Sequence, residues 1–513
     1  MKHTTHQKLA RRKRDIEKRL ARRRWQNQVH AMFSASNIGY ELADRDRAVT
    51  CGGIGVIHLL ARRLGLPQAI DDNIHVLKRH LPYQESDHVL NLAYNILAGG
   101  TCIEDLEHLR TDVAYLDALG AKCIPDPTTA GDFCRRFETD QQILQLMEVF
   151  NAVRLKVWKQ QPSSFFAQAI IDADGTIAPT TGQCKQGMDI SYDGQWGYHP
   201  LLISLANTRE PLYLVNRPGN RPSYEQAGDY LDRAIAFCRE AGFLQILLRG
   251  DTDFSQTTRL DGWDGAGVRF IFGIDAMANL KTLANDLPQS AWRRLERPAR
   301  YVVQTEPRQR PENVKEKLVV EHEYKNIRLL SEDVAEFQYQ PTACKKTYRM
   351  VVVRKNLSVE KGEARLYDDI RYFFYITNVG QQPAEQIVLS ANDRCDQENL
   401  IEQLKNGVRS MGNPLDNLHS NWAYMVMSSL AWTLKAWCGL LLPVQPGRYQ
   451  ARHQQQKQSL VRMEFKGFLN AMMRLPCQIV QTGRRILYRL MSWNPWTSAL
   501  MRLAEAMRRP LRC

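Results

Sequence analysis

Ala169-Ile170-Ile171-Asp172-Ala173-Asp174-Gly175-Thr176 is the stretch on which the fold of this chain turns. Ile170 and Ile171 are β-branched and Gly175 closes the run, so the pattern predicts a buried strand that ends in carboxylates. Side chains alternate along a strand, which puts Asp172 and Asp174 on one face, roughly 7 Å apart along the chain. Two acids at the end of an apolar strand repel each other and lose solvation; a bound cation is the usual compensation. An ordinary strand-to-turn exit, where Asp and Gly are common, reads the same way.

A second stretch repeats the pattern. Leu244-Gln245-Ile246-Leu247-Leu248-Arg249-Gly250-Asp251-Thr252-Asp253-Phe254 is an apolar strand followed by acids. Far downstream, Arg394-Cys395-Asp396-Gln397-Glu398-Asn399-Leu400-Ile401-Glu402-Gln403-Leu404-Lys405 reads as helix, with apolar Ile401, Leu404 and Val408. Arg394, Glu398 and Lys405 are spaced by four and seven residues, so they share a helical face. A solvated charged stripe would have the same spacing.

The Asp, Asp, Glu order on strand, strand and helix resembles the DDE transposases with an RNase H-like core. Arg394, Glu398 and Lys405 match the Arg, Glu and Lys spacing of the Tyr-Arg-Glu-Lys signature in IS4-related transposases. Residues 248–254 and Asn421-Trp422-Ala423-Tyr424-Met425 are similar to the IS1380 family in particular. The resemblance runs from about Thr128 to about Pro495. The signature's Tyr position, three before Arg394, is Ala391 here, which removes any contact that Tyr makes.

The resemblance implies a mixed α/β fold: an RNase H-like sheet with flanking helices, a β-rich insertion and an N-terminal helical domain. It implies divalent-metal-dependent cleavage at insertion-sequence ends, followed by strand transfer into target DNA. Asp174, Asp251 and Glu398 are the expected catalytic acids and ligands of two Mg²⁺ or Mn²⁺ ions. Asp172 remains a rival first acid and a candidate metal ligand. Asp174 is preferred because Asp-x-Thr better matches the family's first acid. Arg394 and Lys405 are expected to hold phosphates of the end DNA. The expected partner is double-stranded DNA, as terminal inverted repeats and as target, bound by a homodimer. A metal-dependent nuclease that does not join, and a DNA-binding protein with an inactive core, are the alternatives.

Composition fits a nucleic-acid partner. The chain has 513 residues, 44% hydrophobic and 24% charged, with a formal net charge of +14. Residues 1–25 carry a charge of +9 and residues 448–513 carry +11, which leaves the middle at −6. Basic ends flanking an acidic body suit a polyanion; on charge alone, DNA, RNA and an anionic membrane all qualify. Eleven cysteines include no Cys-x-x-Cys pair, which argues against a zinc ribbon and for reduced thiols. Residues 1–25 lack the apolar core of a signal peptide. The expected location is the cytoplasm, at the nucleoid. Residues 422–442 approach the length of a membrane span but carry Ser428, Ser429, Thr433 and Lys435, and read as a buried core helix.

The expected order is a basic arm over 1–50, a helical DNA-binding domain over 51–160, the first part of the core over 161–276, a β-rich insertion over 277–368, the second part of the core over 369–442, and a linker with a basic tail over 443–513. In the core, strands are expected over 168–174, 201–206, 211–215, 244–249 and 268–273, with a helix over 224–241. In the insertion, strands are expected over 301–304, 318–321 and 348–354, with 371–377 returning to the core. Asp126-Pro127-Thr128-Thr129 reads as a helix start, and Arg135 and Arg136 on that helix are candidate phosphate contacts; an exposed surface pair is an equal reading. Gly52-Gly53-Ile54-Gly55 has no strand before it and is assigned no nucleotide role. His199, before Pro200, reads as a packed core histidine, and Asp253 as a supporting hydrogen-bond acceptor.

Overall fold

The computed structural model describes residues 3–21, 46–80, 82–182, 184–297, 328–360, 363–483 and 485–508. Its centre is a mixed sheet of nine strands: β1 (Gln168–Gly175), β2 (Leu201–Leu205), β3 (Glu210–Val215), β4 (Gln245–Gly250), β5 (Arg269–Ile274), β6 (Arg293–Arg294), β7 (Arg328–Tyr339), β8 (Tyr348–Glu360) and β9 (Glu363–Thr377). In space they run β6-β7-β8-β9-β5-β4-β1-β2-β3. β1, β2 and β3 are antiparallel neighbours, while β4 lies parallel to β1 and β5 parallel to β4. This is the RNase H-like order, and the expected adjacency of the two acid-bearing strands holds.

Alternation sorts the side chains of β1. Ala169, Ile171 and Ala173 enter the main core with Leu248, Phe270 and Phe272. Ile170 faces the other way, toward a second core with Leu247, Ile271, Ile387 and Val388, under the Ala384–Asn392 helix. Asp172 and Asp174 follow Ile170 by two and four residues and lie on that second face. The Cys395–Glu402 helix docks beside it. There Ser204 donates to the Gln397 side chain, Gln397 Nε2 donates to the Leu202 carbonyl at 3.3 Å, and Arg209 pairs with Asp396 at 2.8 Å.

The insertion is continuous with this sheet. β7, β8 and β9 form an antiparallel run, and β9 joins β5 through Phe374 opposite Ile274, so residues 371–377 do return to the core. The expected strands at 301–304 and 318–321 lie outside the described residues.

The Leu418–Leu441 helix is buried on nearly every side. It packs against β3 and the helices Ile54–Leu64, Glu85–Ala98, Pro127–Arg135 and Asp140–Trp158. Trp422 Nε1 donates to the Leu214 carbonyl at 2.6 Å and Trp432 Nε1 to that of Arg209 at 2.6 Å. Among the described residues, no helix is long and apolar enough to cross a membrane.

The C-terminal region differs most from expectation. The stretch expected as a linker carries a helix, Gln450–Arg462. Beyond it, Cys477–Thr482 and Arg485–Leu490 form a hairpin whose first strand pairs with Ala48–Val49. The Gly52-Gly53 pair serves this junction. A Cβ on Gly52 would stand 2.1 Å from Cys477 Sγ, and one on Gly53 would stand 2.0 Å from the Met472 carbonyl oxygen. These glycines let two remote segments close on each other, a cause that no local pattern announces.

Candidate active site

The register of β1 on β4 sets the site. Asp172 lies opposite Arg249, so continuing the pairing two residues brings Asp174 level with Asp251. Adjacent strands are about 4.8 Å apart, close enough for two carboxylates to serve one cation.

The two acids of β1 have different fates. Asp172 is buried, and both of its oxygens accept from Arg249, from Nε and from Nη2, each at 2.7 Å. Arg249 donates its remaining nitrogen, Nη1, to the Ser390 carbonyl at 2.8 Å. The fork engages both oxygens of Asp172 with one buried guanidinium, a closer pairing than either oxygen of Asp174 has.

Asp174 is held by less. Its Oδ2 accepts from Arg394 Nη1 at 3.0 Å, and the same nitrogen stands 3.7 Å from Asp251 Oδ2. The two carboxylate oxygens are therefore no farther apart than the sum of those lengths. Burial pushes the Asp174 carboxyl up to about 7; Arg394 pulls it back, and the charges of Asp251 and Glu398 add to the rise. Burial also raises Asp251, again opposed by Arg394. Asp251 is fixed by its place at the start of a helical turn, where its Oδ1 accepts the Asp253 N–H at 3.0 Å. Asp253 thus supports Asp251 with its backbone, where a side-chain acceptor was expected.

Glu398 lies one turn beyond Arg394 on the Cys395–Glu402 helix. Its side chain is exposed, without a hydrogen bond or ion pair among the described residues, and near enough for its charge to raise Asp174. Among the described residues no three His, Cys, Asp or Glu side chains close on a single point as a metal group would. The structure joins Asp174 and Asp251 through one cationic nitrogen, while Glu398 is exposed and acts on Asp174 through its charge. Two hard oxygen donors facing one positive charge are of a type that fits a divalent cation in that place.

A cleft of about 1110 Å³ opens over Asp174 and Asp251. Lys405 lines it from a wide turn, Gln403–Gly407, of π type, which ends the regular 3.6-residue spacing. Burial lowers the Lys405 ammonium below its ordinary value. Arg409 lines the same cleft with its backbone at φ 50°. Of the other phosphate candidates, Arg135 pairs with Asp132 and Asp416, each at 3.0 Å, while Arg136 is exposed with no side-chain hydrogen bond or ion pair among the described residues.

His199 is buried, as expected of a packed histidine, and it also lines the cleft. Its N–H donates to the Arg217 carbonyl at 2.8 Å, and its Nδ1 lies 2.8 Å from the Arg221 carbonyl. A carbonyl only accepts, so Nδ1 carries the proton and Nε2 is left as a lone pair. The ring stands so close to β1 that a Cβ on Gly175 would come within 2.9 Å of Nε2, and the residue lines the cleft with both Asp174 and Asp251. The only sequence signal was the Pro that follows it. Arg409 had none.

A family model described as Transposase DDE domain group 1 matches residues 42–511. None of the curated proteins matches the sequence. Among solved structures the chain is similar to a piggyBac transposase synaptic complex with hairpin DNA, determined by cryo-EM. The TM-score is 0.35 and the identity 9%, over 83% of this chain and 84% of that chain. At that identity the structural likeness brings no residue correspondence.

Proposed function

The chain belongs to the group 1 transposase DDE domains, and from that premise we propose that it cuts DNA at the ends of a mobile element and joins them to a target, using Asp174, Asp251 and Glu398. The observation that carries this is the single guanidinium nitrogen shared by Asp174 and Asp251, 3.0 and 3.7 Å away. Domains of this family generally use divalent metal ions; when bound, such an ion activates a water and stabilises the leaving oxygen of a phosphodiester.

Asp174 and Asp251 are the residues to hold that ion, and Glu398 is the third. A carboxyl lifted to about 7 with Arg394 as its direct partner is one that a stronger cation would ionise. Arg394 neutralises the two acids in the protein alone and becomes available to a phosphate when they take another cation. Lys405 and Arg409, on the cleft wall, position the DNA backbone without reading its sequence. Finer assignment to the IS1380 family rests on the wording of residues 248–254 and 421–425.

The test uses the full chain, Mg²⁺ and a plasmid carrying the gene with its native flanking DNA, and reads cleavage and strand transfer separately. Wild type should do both. Asp174→Asn, Asp251→Asn and Glu398→Gln should do neither while still binding DNA. Mn²⁺ binding, followed by electron paramagnetic resonance, should weaken in the two Asp variants. Undiminished Mn²⁺ binding and cleavage in both would remove these acids from the site. Cleavage without joining by the wild type would make the protein a nuclease.

A further inference from the structure

Most of the polar cleft wall suits phosphate, and one atom does not. Lys405, Arg221 and Arg409 line the cleft with groups that only donate hydrogen bonds. His199 lines it with a lone pair. The fold fixes that choice from several sides. The backbone of His199 is tied to Arg217 in both directions: its N–H donates to the Arg217 carbonyl at 2.8 Å, and Arg217 Nε donates to its carbonyl at 2.9 Å. Arg217 is itself buried, and its Nη1 holds the carbonyls of Ser223 at 3.0 Å and Glu225 at 2.7 Å. His199 and the 218–225 loop are therefore one unit. The imidazole closes it, since Nδ1 donates to the Arg221 carbonyl of that loop at 2.8 Å.

The ring cannot turn without breaking that bond, so Nε2 stays directed toward the end of β1. It stands 2.9 Å from where a Cβ on Gly175, the neighbour of Asp174, would be. Among the described residues nothing donates to it. Burial holds the imidazole below its ordinary pKa; Asp253 is the acid that opposes this, and Arg217 and Lys405 are the cations that add to it. The ring is neutral at pH 7. A neutral Nε2 repels phosphate oxygens, which only accept, so its partner in the cleft must carry a hydrogen. In phosphodiester chemistry the group with a hydrogen to give is the attacking hydroxyl.

We propose that His199 Nε2 accepts the proton of that hydroxyl, a water in the cutting step and the freed 3′-hydroxyl in the joining step. The inference rests on the DNA-cutting reading of the site. As the oxygen–phosphorus bond forms, the O–H bond of the attacker breaks and its proton passes to Nε2. The bond from phosphorus to the leaving oxygen breaks, and that oxygen takes a proton from water. The imidazolium then returns its proton to solvent through the cleft.

The experiment uses the full chain with His199→Gln and His199→Ala. Glutamine keeps an acceptor but cannot take a proton. His199→Gln should therefore cleave the native plasmid at least about 10²-fold more slowly, with DNA and Mn²⁺ binding unchanged. Imidazoles added to His199→Ala should restore cleavage, the more so the more basic the imidazole. A second readout needs no activity: in EDTA, wild type and His199→Gln should bind a duplex ending in a 3′-hydroxyl roughly 2- to 10-fold more tightly than its 3′-deoxy counterpart, the worth of one hydrogen bond, and His199→Ala should not. Cleavage by His199→Gln at the wild-type rate overturns the proposal. Rescue that is indifferent to basicity overturns it too, making the ring a space filler, as does a loss of Mn²⁺ binding, which would make His199 a metal ligand. If wild type cleaves the plasmid but binds the two duplex ends alike, this proposal alone fails. If wild type neither binds nor cleaves DNA, the reading beneath it fails as well.

Discussion

Two carboxylate–guanidinium groups in this protein look alike in composition and differ in what is left over. One is built on Glu210, the first residue of β3, fully buried. Its Oε1 accepts from Arg154 Nε at 3.0 Å and Trp437 Nε1 at 2.8 Å, and its Oε2 from Trp158 Nε1 at 3.0 Å. Arg154 also donates to the Pro211 carbonyl at 2.7 Å and to Asn151. Every strong acceptor is used, so the group ties β3 to the Asp140–Trp158 and Leu418–Leu441 helices. The other is Asp174, Arg394 and Asp251. There one nitrogen serves two carboxylates, the second approach is long at 3.7 Å, and a cleft lies alongside. A saturated cluster holds elements together; an unsaturated one beside solvent is available for chemistry.

The largest effect that could break this contrast is on turnover. Asp174→Asn should lower cleavage by on the order of 10³-fold or more, and adding Asp251→Asn should cost little further, because residues that hold one ion act as a unit. Quench-flow or gel assays of plasmid cleavage measure both. Losses that multiply would show that the two acids work separately.

Stability should respond in the opposite pattern. Glu210→Ala strands the buried Arg154 guanidinium, and Asp172→Ala strands that of Arg249; each should cost about 3–5 kcal/mol. Urea unfolding reads this directly, and the fraction that remains folded should still cleave. A dead but stable Asp172→Ala variant would reverse the assignment of the first acid.

A smaller and signed effect comes from pH. The Asp174 carboxyl is lifted from its ordinary 3.8 to about 7, mainly by burial. The folded protein therefore binds the proton more tightly than the unfolded chain does. The stability this brings is present below pH 4 and is lost as pH rises through 7. Asp174→Asn should thus be more stable than wild type at pH 8, by on the order of 4 kcal/mol, and equal to it near pH 4. Mg²⁺ should narrow the gap by stabilising the wild type alone. A gap that does not change with pH would mean that Asp174 is as well compensated as Glu210.

The smallest effect concerns the arm. Removing residues 1–25 should reduce the slope of log affinity against log salt by about 0.9 for each phosphate that the arm neutralises in the intact chain. The described part of the arm is a helix, His3–Ala21, whose Arg12 donates to the Leu490 carbonyl at 2.6 Å, on the C-terminal hairpin. An unchanged slope would confine DNA binding to the rest of the chain.

Local pattern was enough for the elements that carry the acids. Alternation and β-branching placed β1 and β4, the long apolar run over 422–442 marked the buried helix that the structure starts at Leu418, and Asp126 before Pro127 marked a helix start, where its side chain accepts the Thr129 N–H at 2.8 Å. These are properties of neighbours in the chain, and the sequence contains them. Tertiary structure alone decided which acid of β1 takes a buried guanidinium as its partner. That depends on Arg249 falling opposite Asp172, a register between strands 77 residues apart. It also decided that Glu210, which falls between the expected strands 201–206 and 211–215, is fully buried among two tryptophans and an arginine, and that Gly52 and Gly53 answer to Cys477 and Met472. The physical reason is the same in each case. Periodicity says which way a side chain points, but whether its charge or its volume is satisfied depends on atoms that the sequence places tens to hundreds of residues away.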